Sequence, residues 1–142
     1  MEDLKEFLGY NAINKAVLVG AGNLGRALMS YRGFEEYGLR IVAGFDLFPD
    51  TVIHDDVGKP ILSLDELSDF CQTNGIRIGV ITTPGKAAQE ACDLLIGGGI
   101  KAIWNFAPAH LTVPDGVLVQ NENMASSLAL LSKHLNEMLK TE

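Results

Sequence analysis

Short apolar runs alternate with longer stretches of helical period along the chain. Ala16-Val17-Leu18-Val19, Arg40-Ile41-Val42-Ala43-Gly44-Phe45, Arg77-Ile78-Gly79-Val80-Ile81-Thr82, Lys101-Ala102-Ile103-Trp104 and Val117-Leu118-Val119 read as strands. A weaker run, Pro60-Ile61-Leu62, follows the acidic turn around Asp55. The runs are nearly continuous in hydrophobicity, as strands buried on both faces of a parallel sheet are. Helices are predicted between them, from Asn23 to about Tyr37, from Ser63 to the stop pair Asn74-Gly75, and from Lys86 to about Ile96 before Gly97-Gly98-Gly99. Ser63-Leu64-Asp65-Glu66 has the spacing of a capping box. Strand and helix alternating in this way fold through right-handed crossovers. The expected fold is therefore α/β: one doubly wound, mostly parallel sheet of the Rossmann type over residues 1–142, with residues 1–14 a short N-terminal helix or arm.

A last helix is predicted from about Met124 to Leu139, roughly 24 Å long at 1.5 Å per residue. Met124, Leu128, Leu131, Leu135 and Met138 recur at spacings of 4, 3, 4 and 3, and Leu130 and Leu139 widen the stripe. Periodicity alone fits two partners equally well, the chain's own sheet or a second subunit.

Composition narrows the classes. The chain has 142 residues, 47% hydrophobic and 20% charged, which suits one domain with a core of its own. No run of about 18 apolar residues is present, so no membrane span is predicted. Met1-Glu2-Asp3-Leu4-Lys5 lacks the apolar segment of a signal peptide, and a cytoplasmic location is expected. Eleven basic against eighteen acidic residues give a net charge of −7, with no two Lys or Arg adjacent. Direct contact with nucleic acid needs clustered positive charge, and none is visible. Cys71 and Cys92 have no metal or disulfide spacing and read as small buried hydrophobes. His54, His110 and His134 are scattered, and His54-Asp55-Asp56 reads as a solvated turn rather than a metal site.

The chemistry-bearing motif is Gly20-Ala21-Gly22-Asn23-Leu24-Gly25, which leaves the first strand and opens the first helix. A glycine triplet is a weak signal alone, but this context is the one its mechanism requires. Gly20 permits the tight turn, Gly22 leaves room for a pyrophosphate, and Gly25 lets helix and strand approach. The helix N-terminus then offers free amides and a positive dipole end. Asp46 ends the second strand 21 residues after Gly25, where a carboxylate accepts from ribose hydroxyls and repels a 2′-phosphate. No basic residue lies between Asp46 and Lys59, so NAD(H) is expected over NADP(H). Gly79 and Gly85-Lys86 miss the triphosphate-loop spacing by one, and Ala87 stands where that loop needs Ser or Thr. Thr82-Thr83-Pro84 and Asn105-Phe106-Ala107-Pro108 fall at carboxyl ends of strands and are candidates for the nicotinamide half of the site.

A hydride-transfer enzyme also needs a positioned proton donor. Tyr10, Tyr31 and Tyr37 are followed four residues on by Asn14, Glu35 and Ile41, so no Tyr-x-x-x-Lys exists. His110 is the residual candidate. The residues thus describe a dinucleotide site without a visible reaction, and no enzyme is expected. A small NAD-dependent oxidoreductase, a cofactor subunit of a larger one, or a CoA-binding domain of the same topology are the alternatives. A CoA site has no need of the ribose acceptor Asp46.

From about Leu4 to Leu135 the chain resembles the Rex redox-sensing transcriptional repressors. The resemblance is carried by Val19 to Leu28 with Tyr31 and Gly33-Phe34, by Ile41 to Asp46, and by Asn105-Phe106-Ala107-Pro108 followed by Val113-Pro114-Asp115-Gly116-Val117. It implies the C-terminal NAD(H)-binding domain of a homodimer whose last helix, residues 122–142 here, swaps onto the partner beside the nicotinamide. Residues Gly20, Gly22 and Gly25 would then hold the pyrophosphate and Asp46 the adenosine ribose. Tyr31 would lie near the nicotinamide, with Asn121-Glu122-Asn123-Met124 arriving from the partner. Two departures stand out. Only about 14 residues precede the first strand, where the family carries a winged-helix DNA-binding domain, so DNA contact is expected only through a separate domain. Asn123-Met124 also stands where the family usually has Asp and an aromatic residue, and Asn cannot carry that charge.

Overall fold

Alternation along the first strand sets the two faces of the molecule. The computed structural model describes residues 13–47, 59–122 and 124–140, and the side chains of the last helix from Leu128 onward. In β1, Asn14–Val19, successive side chains point to opposite sides of the sheet. Ala16 and Leu18 join one apolar cluster with Ile41, Val80 and Met29. Val17 and Val19 join the other, with Ala43, Phe45 and Ile81. Each large side chain removed from water contributes about 1.5–3 kcal/mol, so both faces must be covered.

Helices supply the cover. Helix α1, Asn23–Ser30, brings Met29 to the first face. Strand β2, Leu39–Asp46, and β3, Ile61–Ser63, follow. Helices α2, Leu67–Asn74, and α3, Gly85–Gly97, flank β4, Ile78–Ile81. They pack Leu67, Cys71, Ala88, Cys92 and Leu95 on the second face. Strands β5, Ala102–Asn105, and β6, Leu118–Asn121, complete six parallel strands in the order β3-β2-β1-β4-β5-β6. The chain reverses direction across the sheet between β1 and β4, which opens a crevice at their carboxyl ends. The expected α/β fold is the observed one, with every described strand pair parallel.

Local boundaries differ from expectation in instructive places. The first helix, expected to reach Tyr37, stops at Ser30. Tyr31 turns extended at φ −76° and ψ 120°, and a separate 3₁₀ turn spans Gly33–Tyr37. Ser30 Oγ donates to the Arg26 carbonyl at 3.0 Å, and such back-bonding weakens a helix end. The second helix begins as a 3₁₀ turn, Leu64–Glu66, behind a complete capping box. Ser63 Oγ accepts from Asp65 N–H, and Glu66 Oε2 accepts from Ser63 N–H, both at 3.3 Å. The last strand lies one or two residues later than predicted, at Leu118–Asn121.

The final helix, α4, spans Met124–Lys140. Leu128, Leu130, Leu131, Leu135, Met138 and Leu139 are each more than half exposed. Packing of this stripe on the chain's own sheet, one of the two partners that periodicity allowed, is not what the fold does. Residues 1–12, most of the expected N-terminal arm, and His54-Asp55-Asp56 lie outside the described residues.

Candidate functional site

At the switch point the glycine turn is shaped by its neighbours. Gly20 sits at φ +101°, a region closed to most L side chains, and a Cβ there would meet Thr83 N at 2.8 Å. A Cβ on Gly25 would collide with the Gly20 carbonyl and meet Thr82 Oγ1 at 2.9 Å. By contrast, nothing lies within 4 Å of where a Gly22 Cβ would stand. Two of the glycines are therefore demanded by the fold, and the third keeps an approach to the backbone open. Thr82 fixes the turn from β4, its hydroxyl donating to the Gly20 carbonyl at 2.6 Å and lying 3.2 Å from the Val19 carbonyl.

The start of α1 remains available to a ligand. Gly22 is its N-cap and no side chain caps it. The first amides of a helix have no intrahelical acceptor, so this turn presents donors and the positive end of the helix dipole. Asn23 is exposed and its Oδ1 accepts from Arg26 Nη2 at 3.0 Å, while Leu24 is half-buried.

Asp46 at the end of β2 is tied to the same turn. Its Oδ2 accepts from the Ala21 N–H at 3.0 Å, across 25 residues of sequence. One carboxylate thus braces the glycine turn and faces a cavity of about 170 Å³. Gly20, Asp46, Thr83 and Pro84, all expected site residues, line this cavity together. Leu47, Leu64, Ala87, Ala91 and Leu94 give it mainly apolar walls, and Glu90 stands among them. Ala87, Ala91 and Leu94 follow helical spacing on α3. That stripe was legible as a helix face, but its exposure to the crevice depends on the sheet order. Thr83 Oγ1 is buried and has no hydrogen-bond partner among the described residues.

The other expected residues cluster elsewhere. Asn105 is only 1% exposed, and its side chain is committed to the protein. It accepts from Ala107 N–H at 3.0 Å and donates to the Ala109 carbonyl at 3.1 Å and Asn121 Oδ1 at 3.0 Å. Asn105 therefore shapes the loop after β5, which carries Phe106, and ties it to β6. Tyr31, 56% exposed, stacks edge-on to Phe34, which meets Trp104, which meets Phe106. Tyr31 and Phe34 line a second groove, of about 200 Å³, with Arg32, Arg40 and Lys59. Burial lowers the Lys59 ammonium below its ordinary range, and its Nζ donates to the Met29 carbonyl at 3.0 Å. Asn123 lies outside the described residues; Met124 begins α4, and its side chain is likewise outside them. His110 is exposed and does not line the cavity.

Neither cysteine has the character of a reactive group. Cys71 and Cys92 are buried, and burial pushes the Cys71 thiol up to about 11 and raises that of Cys92. Among the described residues no group of three or more His, Cys, Asp or Glu could hold a metal, and no helix is long and apolar enough to cross a membrane.

Known proteins match this architecture. The CoA binding domain family matches residues 11–109. A redox-sensing transcriptional repressor Rex from Porphyromonas gingivalis is 40% identical over 135 residues, covering 95% of this chain and 62% of that protein. The crystal structure of RSP, a Rex-family repressor, in complex with β-NADH superposes with a TM-score of 0.86 at 35% identity. That match covers 99% of this chain and 68% of that one. RSP in complex with β-NAD⁺ and operator DNA gives a TM-score of 0.88 at 35% identity, covering 99% and 64%. The chain spans somewhat under two thirds of the Rex repressor it matches. It belongs to the CoA binding domain family and, within it, is the Rossmann-type domain found in Rex repressors.

Proposed function

We propose that this chain is a non-catalytic, NAD(H)-binding redox-sensing domain that works as a homodimer in the cytoplasm. The observation that carries the reading is the Asp46 carboxylate, bonded to the glycine turn and facing the cavity beside it. A dinucleotide needs both features together: amide donors for its phosphates and an acceptor for the adenosine diol. A half-buried anion at that place also disfavours a 2′-phosphate. Relatives named as Rex are repressors, and RSP has been crystallised with both β-NADH and β-NAD⁺, which supports the same ligand here.

The bound dinucleotide would supply a nicotinamide ring that is cationic when oxidised and neutral when reduced. Gly20, Ala21, Gly22, Asn23, Leu24 and Gly25 would hold the pyrophosphate, with Thr83 and Pro84 on the far wall. Tyr31 and Phe106, with Asn123 and Met124 from a partner chain, would meet the nicotinamide end. The exposed stripe of α4 would cover a second subunit, so that ligand state and dimer geometry are linked. Such a device works only if the two redox forms bind the two dimer states with different affinity. DNA contact would come through another domain, as the acidic charge of −7 suggests.

The family's name favours a second ligand, CoA, which shares the glycine turn and makes no use of Asp46. Calorimetric titration with NADH, NAD⁺ and CoA separates the two. NADH is expected to bind, CoA to bind at least tenfold more weakly, and Asp46→Ala to weaken NADH by roughly tenfold or more. CoA binding that is tight and indifferent to Asp46→Ala would sink the dinucleotide reading. Equal affinity for NADH and NAD⁺ would remove the sensing.

A further inference from the structure

Asp46 fixes which end of the cavity holds the sugar. In the dinucleotide reading, on which the following rests, the adenosine base projects past Asp46 into the apolar space between Leu47, Leu64 and Leu94. These walls can sandwich any flat ring and say nothing about its identity. One further lining residue does. Glu90 joins this lining from α3, beside Ala87, Ala91 and Leu94 and on a different element from Asp46. Its carboxylate has no hydrogen-bond or ion-pair partner among the described residues. An ionised carboxylate only accepts hydrogen bonds.

A purine anchored through its ribose carries its 6-substituent on the far side of the ring system from the sugar. A 6-amino group there donates to an acceptor, whereas a 6-oxo group places oxygen against oxygen. We propose that Glu90 is the specificity-determining residue for the base, accepting from the 6-amino group of adenine and selecting it over 6-oxopurines. The contact is at the rim and partly solvated, so its effect is a preference rather than an exclusion. The cavity's two carboxylates then divide recognition of one nucleoside: Asp46 reads the sugar and Glu90 reads the base.

The test measures binding of reduced NADH and of reduced nicotinamide hypoxanthine dinucleotide to the intact chain and to Glu90→Ala and Asp46→Ala. The unaltered chain is expected to favour the adenine form by about five- to tenfold. Glu90→Ala, an exposed helix position where Ala is well tolerated, should bring the two affinities within twofold by weakening the adenine form. Asp46→Ala should weaken both forms together and keep their ratio. Equal binding of the two forms by the unaltered chain overturns the proposal, as does a preference that survives Glu90→Ala. If neither form binds, the dinucleotide reading itself falls, and circular dichroism of the variants keeps that outcome distinct from misfolding.

Discussion

Thr83 carries opposite consequences for the empty and the occupied protein. Its hydroxyl is buried and unpartnered among the described residues, at the wall of the cavity. Leaving such a group unsatisfied costs about 1–3 kcal/mol. Replacing Thr83 by the isosteric Val removes the hydroxyl while keeping the shape. Thr83→Val is expected to raise Tm by about 2–4 °C in the absence of ligand and to weaken NADH five- to tenfold. Thermal melts with and without NADH check both signs; a variant unchanged in both would mean the hydroxyl is satisfied otherwise. Cys71 gives a second residue-scale expectation. Its thiol is held up at about 11 by burial, so the folded chain keeps a proton that the unfolded chain releases from about 8.5. The unfolded state then binds fewer protons, and stability falls as pH rises between those values. Cys71→Ala should flatten that fall by at most about 2–3 kcal/mol, measured as the difference in urea midpoints between pH 8 and pH 11.

At the scale of elements, the capping box ahead of α2 is joined to the site. Ser63 closes the turn that carries Leu64, and Leu64 is part of the cavity wall. Ser63→Ala should cost about 1 kcal/mol and lower Tm by roughly 2–4 °C, with a smaller loss of NADH affinity. Unchanged stability would show that the backbone carries the turn alone. This element was fully legible, since the Ser63 to Glu66 spacing is a local signal with a local cause. The end of α1 was not. The amphipathic pattern continues past Ser30 through Phe34, but the chain breaks at Tyr31 and restarts at Gly33 so that Phe34 can meet Trp104. A contact between this 3₁₀ turn and the fifth strand is tertiary, and no local period encodes it. The cavity shows the same division. Gly20, Asp46 and Thr83 stood out because their chemistry is unusual for their place, whereas Leu64, Glu90 and Leu94 are seen to line the cavity only once the sheet order is known. Asn105, expected at a ligand, is also the internal strut of its loop, a role that depends on the fold and has no local signal.

On the scale of the whole molecule, α4 makes the oligomeric state a measurable consequence. Leu131 is 66% exposed in the single chain, where a charge would be nearly neutral or helpful. If a second copy covers the stripe, Leu131→Glu should convert dimer to monomer in sedimentation velocity while leaving the far-ultraviolet spectrum unchanged. Identical sedimentation of both proteins would place the interface elsewhere. The periodic stripe was visible in the sequence, and its partner was not, because an amphipathic helix records only that one face is to be covered.

The one tryptophan of the chain, Trp104, touches Phe34 and Phe106 and donates from Nε1 to Glu122 Oε1 at 3.2 Å, two residues ahead of α4. Its indole therefore stands where the aromatic row from Tyr31 meets the root of the last helix. Indole emission changes in colour and intensity with its hydrogen bonding and wetting. The protein carries its own optical gauge, and a single unlabelled sample can report in real time whether the helix root shifts.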